Sequence, residues 1–429
     1  MTEQNDRSEP EGTHDPVGAF RVAAFRWFFA GNLIFMLGTN FQAAVIAWEL
    51  YERTGLLLHQ AYLGLVQVIP VILLAIPVGQ LVDRVDRRWF VGLSLLLFLS
   101  TSLALAVISL TQAPIWTIFS CVLANGVARV MQQPAKASML PHLVPRDQFA
   151  NAVSWSSTGF QLSLVAGPAA AGFLLLWARA FWAYLIAIAV AIFFLFALTR
   201  LPGQPKRQAL EPLTARSLLA GIAFLLRTPL VFGAITLDMF AVLLGGATAL
   251  LPAYSSPEIL DVGPTGYGWL RAAPGIGAIL MSLVLTSLPP LRRAGRALLM
   301  SVAVFGVATI GFGLSRSFHI SLAMLLTLGA FDMVSVIIRH TLIQLWTPDE
   351  MRGRVSAVNG MFISVSNELG SFESGFVAHL FSREDDKAFG PTVAAVSGGV
   401  GTLLVVALMA MLNPQLRRHG RLDQGPQNR

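Results

Sequence analysis

The chain has 429 residues, 55% hydrophobic and only 12% charged, with a mean hydropathy of +0.65 and a formal net charge of +7. Soluble domains carry about 25% charged residues, so most of this surface must face lipid and a water-soluble globular fold is excluded. A lone cysteine, Cys121, excludes a disulfide framework and a cysteine metal cluster.

The first 20 residues are polar and lack both an apolar run and a small-residue cleavage site, so residues 1–24 read as a cytosolic tail. A membrane helix needs roughly 20 mostly apolar residues. Twelve such runs follow: 25–51, 60–82, 89–110, 114–140, 149–177 and 180–199, then 230–254, 265–288, 296–314, 318–346, 355–381 and 391–412. Between the sixth and seventh lies "TRLPGQPKRQALEPLTAR", the longest polar, Pro-rich break. It divides the chain into two six-helix halves, 25–199 and 230–412, joined by a cytosolic linker over 200–229. Within that linker "SLLAGIAFLLRTP" is too short to span and amphipathic enough to lie at the interface. Residues 413–429 form a second cytosolic tail. The fold class expected is all-α integral membrane, with twelve transmembrane helices in two pseudo-symmetric halves.

With both termini inside, 22 of the 30 Lys and Arg residues fall in inside segments and five in outside loops, leaving Arg129, Arg271 and Arg339 within helices. That split follows the positive-inside rule. The positive net charge is thereby explained by topology, and no nucleic-acid partner is needed. No histidine shows an HExxH-like spacing and no GxxxxGK[ST] loop occurs, so zinc chemistry and ATP-driven pumping by this chain are not expected. No nucleophile–base pair stands out either, so the chain does not read as an enzyme and no cofactor is implied.

Shifting the sequence by 203 residues brings Gly126 onto Gly329, Pro145 onto Pro348, Gly167 onto Gly370 and Gly172 onto Gly375. A shift of 204 brings "GLVQVIP" (64–70) onto "GWLRAAP" (268–274). Two parallel repeats suit a transporter that rocks about a central site.

Three motifs carry a resemblance. "GQLVDRVDRR" (79–88) is similar to the second-to-third-loop signature of the major facilitator superfamily, departing from it at Val82 and Asp86. "SLVAGPAAAG" (163–172) resembles that superfamily's fifth-helix antiporter pattern. "AWELYERTG", "ARVMQQPAKASMLPHLVP" and "RGRVSAVNG" resemble the branch holding enterobactin-exporter-like and macrolide-efflux-like members. The resemblance covers nearly the whole chain and implies a secondary transporter of the bacterial cytoplasmic membrane. It further implies a proton antiporter exporting a siderophore-like or amphiphilic small molecule. A lipid flippase of the same fold and a transport-inactive sensor are the alternatives. A monomer is expected.

In the loop motif, Gly79 permits close backbone approach, while Asp83 with Arg84, Arg87 and Arg88 is suited to latching the halves on the cytosolic side. In the fifth-helix motif, Gly167, Pro168 and Gly172 allow tight packing with a bend, and Gly370 and Gly375 are their counterparts. Charges inside a membrane are costly and usually face a cavity. They occur here as Arg129, Asp238, Arg271, Asp332, Arg339, Glu368 and Glu373, none on the third, sixth, ninth or twelfth helix, which the resemblance places as outer scaffold.

Arg129 and Asp332 are equivalent in the repeat with opposite sign. They are expected to face each other or to bind opposite parts of a cargo, with a structural ion pair as the alternative. Asp238 is expected early in helix 7, in the cavity or at an interface. Arg271 and Arg339 are expected to contact cargo, to snorkel or to pair locally. Ser364, Asn367, Glu368, Ser371 and Gly375 share one helical face, a polar stripe fit for a wet cavity. Glu368 is expected to carry a proton, with pairing to an internal Arg as the alternative, and Glu373, on another face, to be structural. Asn32, Asn40, Gln42, Asn125, Gln132 and Gln133 are further polar candidates on helices 1 and 4.

Overall fold

A computed structural model describes residues 17–203, 215–287, 293–418 and 420. The first half comprises α1 (Ala23–Thr54), α2 (Leu57–Arg84), α3 (Arg87–Thr111), α4 (Ile115–Met139), α5 (Phe149–Trp177) and α6 (Ala180–Thr199). Next come α7 (Ala215–Arg227), α8 (Pro229–Leu244), α9 (Leu251–Tyr254), α10 (Gly263–Ser287) and α11 (Ala294–Leu314). The chain closes with α12 (Phe318–Trp346), α13 (Asp349–Leu380), α14 (Phe389–Leu412) and the short α15 (Pro414–Arg418). Eleven of the described spans are long and apolar enough to cross a bilayer. The twelfth, α13, is 32 residues long and runs antiparallel to α2, but its serines, asparagines and glutamates make it too polar to pass as a span by composition.

The expected continuous helix over 230–254 is interrupted. It stops at Leu244, passes Gly245 and Gly246, and restarts as a 3-10 turn and α9 with Pro252 in its first turn. Two consecutive glycines are poor helix formers. They also sit where bulk is excluded, since a Cβ on Gly246 would lie 2.2 Å from the Gly370 carbonyl oxygen. In the linker, α7 buries Leu225 against Val231, Ile235, Val355 and Val358, and leaves Leu219 and Leu226 exposed. That division suits a helix lying at the membrane interface.

The repeat register of the sequence corresponds to equivalent contacts. Gly126 of α4 packs on Pro70 of α2, and Gly329 of α12 packs on Pro274 of α10. Gly167 of α5 lies against α1 at Leu37–Phe41, and Gly370 of α13 against α8 at Val242 and Leu243. Gly172 of α5 meets Pro264 and Gly268 of α10, while Gly375 of α13 meets Ala61 of α2. The last two contacts join one half to the other. Small residues there let backbones touch, which drives helix association where lipid removes the hydrophobic difference.

We call the end bearing the α1–α2 turn distal and the end bearing the described termini proximal. At the distal end one apolar cluster runs through both halves, from Phe41, Leu50 and Tyr184 to Tyr254, Tyr267 and Phe312. At the proximal end the halves have separate clusters, one around Phe28, Phe90 and Phe194 and another around Leu230, Leu298 and Leu342. Tyr267 of α10 donates to the Ala44 carbonyl of α1 at 3.1 Å, again near the distal end. The bundle is therefore sealed distally and its halves part proximally. A valine at Gly172 (G172V) would drive a branched side chain into the α10 backbone, where even a Cβ would lie 2.5 Å from Pro264 oxygen. The expected result is greater maleimide labelling of an A44C reporter from the distal side, in a C121S background; unchanged labelling would contradict the seal.

Candidate functional site

Charged side chains reach the middle of the bundle from both halves. Arg129 lies 14 residues from the start of α4 and Glu368 12 residues from the end of α13, roughly 20 Å below the distal end at about 1.5 Å per residue. They meet there: Arg129 Nη1 donates to Glu368 Oε1 at 2.9 Å. This bond crosses from one half to the other. Glu368 is 8% exposed, whereas the Arg129 side chain keeps 45% of its surface open. The glutamate is the enclosed partner and the arginine faces open space. Arg271 of α10 acts electrostatically on Glu368 and donates to the Tyr267 hydroxyl at 3.3 Å.

The backbone beside Glu368 is part of the same junction. A Cβ at Gly64 of α2 would lie 2.4 Å from the Glu368 carbonyl oxygen and 3.0 Å from Ser371 Cβ. The expected polar stripe on α13 is thus split. Asn367 is exposed, Glu368 is buried against Arg129, and Ser371 and Gly375 are pressed on α2. Glu373 faces elsewhere and accepts from Ser374 Oγ at 3.2 Å.

A second set of charges lies wholly within the later half. Asp238 of α8 forms an ion pair with Arg339 of α12 and accepts from Ser335 Oγ at 3.3 Å. Both members of the pair are buried. Asp332 stands one turn before Ser335 on α12 and lines a small cavity with Asp238. The structure narrows the alternatives open for two of these residues. Arg129 does not face Asp332, because Glu368 from α13 takes the guanidinium instead. Asp238 is not interfacial: it lies nine residues into α8, about 14 Å along the helix. Of the alternatives left open for Arg339, local pairing is the one realised.

The polar residues of α1 and α4 mostly stitch the first half together. Asn40 donates to Ser163 of α5 at 3.3 Å, Ser102 of α3 donates to Gln42 at 3.0 Å, and Thr101 of α3 bonds Asn125. Asn32 and Gln132 are buried, and Gln133 is exposed. In the loop motif, Gly79 is buried and Arg87 donates to the Ser138 carbonyl at the end of α4. Asp86, a departure from the family signature, caps α3 by accepting from the Arg88 backbone N–H at 2.8 Å. The side chains of Asp83 and Arg84 lie outside the described residues.

Sequence reasoning did not single out a distal network in which Tyr184 of α6 donates to Glu49 of α1 at 2.6 Å. Arg53 lies 3.7 Å from the same carboxylate. Its signal was "WELYER", quoted only as part of a branch resemblance. Outside the membrane, Lys387 joins the α13–α14 loop to Glu258 at 2.8 Å. That bond, helped by Ser256, holds the Glu258 carboxyl down at about 2.

The arrangement has known relatives. The profile described as transmembrane secretion effector matches residues 14–429. The chain belongs to this family, within the major facilitator superfamily. Enterobactin exporter EntS of Shigella boydii serotype 18 is 26% identical over 344 residues, spanning 79% of this chain and 80% of that protein. EntS of Escherichia coli O157:H7 is similar to the same extent.

Among solved structures, a bacterial homolog of the human lysosomal transporter Spinster, inward-facing and unoccupied, superposes with a TM-score of 0.70 at 14% identity. That match covers 92% of this chain and 98% of the other. The nucleoside transporter NupG gives 0.67 at 16% identity, over 91% and 99%. This chain is accordingly a multi-pass membrane transporter with the major facilitator fold, in a family of efflux proteins.

The buried Asp238–Arg339 pair makes a direct test of the site's charge logic. Removing one partner of a buried pair leaves an uncompensated charge and costs about 3–5 kcal/mol, whereas replacing both with apolar groups is often neutral. D238A is expected to lower the melting temperature of the purified protein strongly, and D238A/R339L to recover most of the loss. A double variant as unstable as the single one would contradict the pairing.

Proposed function

We propose that this transporter exports a small organic molecule, siderophore-like or amphiphilic, from a bacterial cytoplasm in exchange for protons. The observation that carries the reading is the Arg129–Glu368 bond across the halves at mid-membrane. By the positive-inside distribution, the proximal end faces the cytosol and the distal end the outside. The conformation described here is then inward-open, with cargo access to the exposed side of Arg129.

Opening the distal end requires α13 to leave α2, and Glu368 sits at the proximal limit of their described glycine contacts. Rocking of the halves, taken as 25–199 and 230–412, therefore pulls Glu368 away from Arg129. A carboxylate left alone inside the membrane is neutralised by a proton, and the open distal side supplies one from outside. Return to the inward-open state brings the guanidinium back, and the restored ion pair displaces that proton toward the cytosol. Each cycle moves a proton inward. In the outgoing step the cargo takes the place of Glu368 beside Arg129, which lowers the cost of parting the pair.

The loop motif has a complementary part. In the inward-open state Arg87 is occupied within its own half. We assign Asp83, Arg84 and Arg88 to the latch that closes the proximal end in the opposite state. In everted membrane vesicles E368Q is expected to lose pH-gradient-driven transport of a catecholate and amphiphile panel while retaining cargo exchange without a gradient. Gradient-driven transport equal to wild type would remove Glu368 from the coupling.

A further inference from the structure

The charges inside the later half do not balance. Asp332, Ser335 and Arg339 are spaced i, i+3 and i+7 and so share one face of α12. Facing them, Asp238 of α8 takes the Arg339 guanidinium and the Ser335 hydroxyl. Asp238 and Arg339 are 5% and 2% exposed, and the Arg339 Nε finds no acceptor among the described residues. Asp332 has no hydrogen-bond or ion-pair partner among them. It lines, with Asp238 and Ser335, a cavity of about 10 Å³, room for one water; the remaining lining is apolar.

Among the described residues, the neighbouring elements bring no further cation to the cavity lining. From α11 only Val302 and Phe305 reach the cavity. On α13, which packs on α8, Glu368 is bonded to Arg129 and Glu373 to Ser374. On α10, which packs on α12, Arg271 is bonded to Tyr267. His340, next to Arg339 in the chain, is exposed. Two carboxylates against one guanidinium would leave a net negative charge at mid-membrane, where an uncompensated charge is costly. Carboxyl groups sharing one site do not both ionise.

We propose that Asp238 and Asp332 hold one proton between them, giving the later half a proton site of its own, separate from the Glu368–Arg129 pair. Because α8, α11 and α12 belong to one half, rocking of the halves does not pull this site apart. Its moving part is closer at hand. Phe305 lines the cavity and also packs against Gly245, where the helix breaks. The site stands whether or not Glu368 carries a transported proton.

The test is infrared spectroscopy of the purified full chain in lipid nanodiscs at neutral pH, reading the C=O stretch of a protonated carboxyl. Wild type and E368Q/E373Q are expected to show the band, and D332N to lose it. Heavy-carbon labelling of aspartate carboxyls in the wild-type chain should shift the band, and labelling of glutamate should leave it in place. This arm decides the question even if D332N fails to fold. Absence of the band in wild type, its loss in E368Q/E373Q, or a shift with glutamate label alone would overturn the proposal.

Discussion

A charge in the hydrocarbon layer must be paired, solvated or neutralised, and this constraint organises the centre of the protein. Arg129 and Glu368 satisfy it across the boundary between halves. Neither half is electrically complete at that level by itself. Pairing energy inside a low-dielectric region is large but offset by the desolvation of both ions. Such a contact therefore adds little net stability while making one conformation the place where both charges are satisfied. The distal seal of small residues and aromatic rings holds the halves together, and the ion pair makes their separation chemically consequential.

The glycine contacts give this seal a symmetric form. Gly172 and Gly375 are repeat counterparts, and each presses its helix onto the other half. Gly167 and Gly370, five residues earlier, press the same helices onto their own halves. Thus α5 and α13 are each gripped on two sides, and a shift between halves has to pass through both. The two halves differ in where their charges lie. At mid-membrane the described first half carries Arg129 and, further along α4, Lys136, its buried Glu49 being held near the distal end by Tyr184 and Arg53, whereas the later half carries four carboxylates and two arginines. The mid-membrane carboxylates are thus concentrated in the later half.

Much of the architecture was legible in the sequence. Apolar runs and Lys/Arg asymmetry mark the spans because the bilayer imposes a fixed length and a fixed charge rule. The Gly/Pro register marked the repeat because those residues are needed wherever backbones touch. Pairings among the interior charges were not legible. Equivalence of Arg129 and Asp332 in the repeat predicts that they occupy related positions, but which residue faces which depends on helix rotation and on the relation between halves. Linear spacing does not encode that relation. The break after Leu244 was also missed: an apolar composition continues through Gly245 and Gly246, and only the approach of Gly370 shows why bulk is excluded there.

The most direct measurement of the central claim is the distance between spin labels placed at the distal ends of α2 and α13, recorded at neutral and acidic pH. With Arg129 and Glu368 as a state-dependent pair, acidification lengthens the distal distance in wild type. In E368Q the long distance is populated at both pH values. A wild-type distance unchanged by pH, or an E368Q protein that responds to acid as wild type does, would contradict the account.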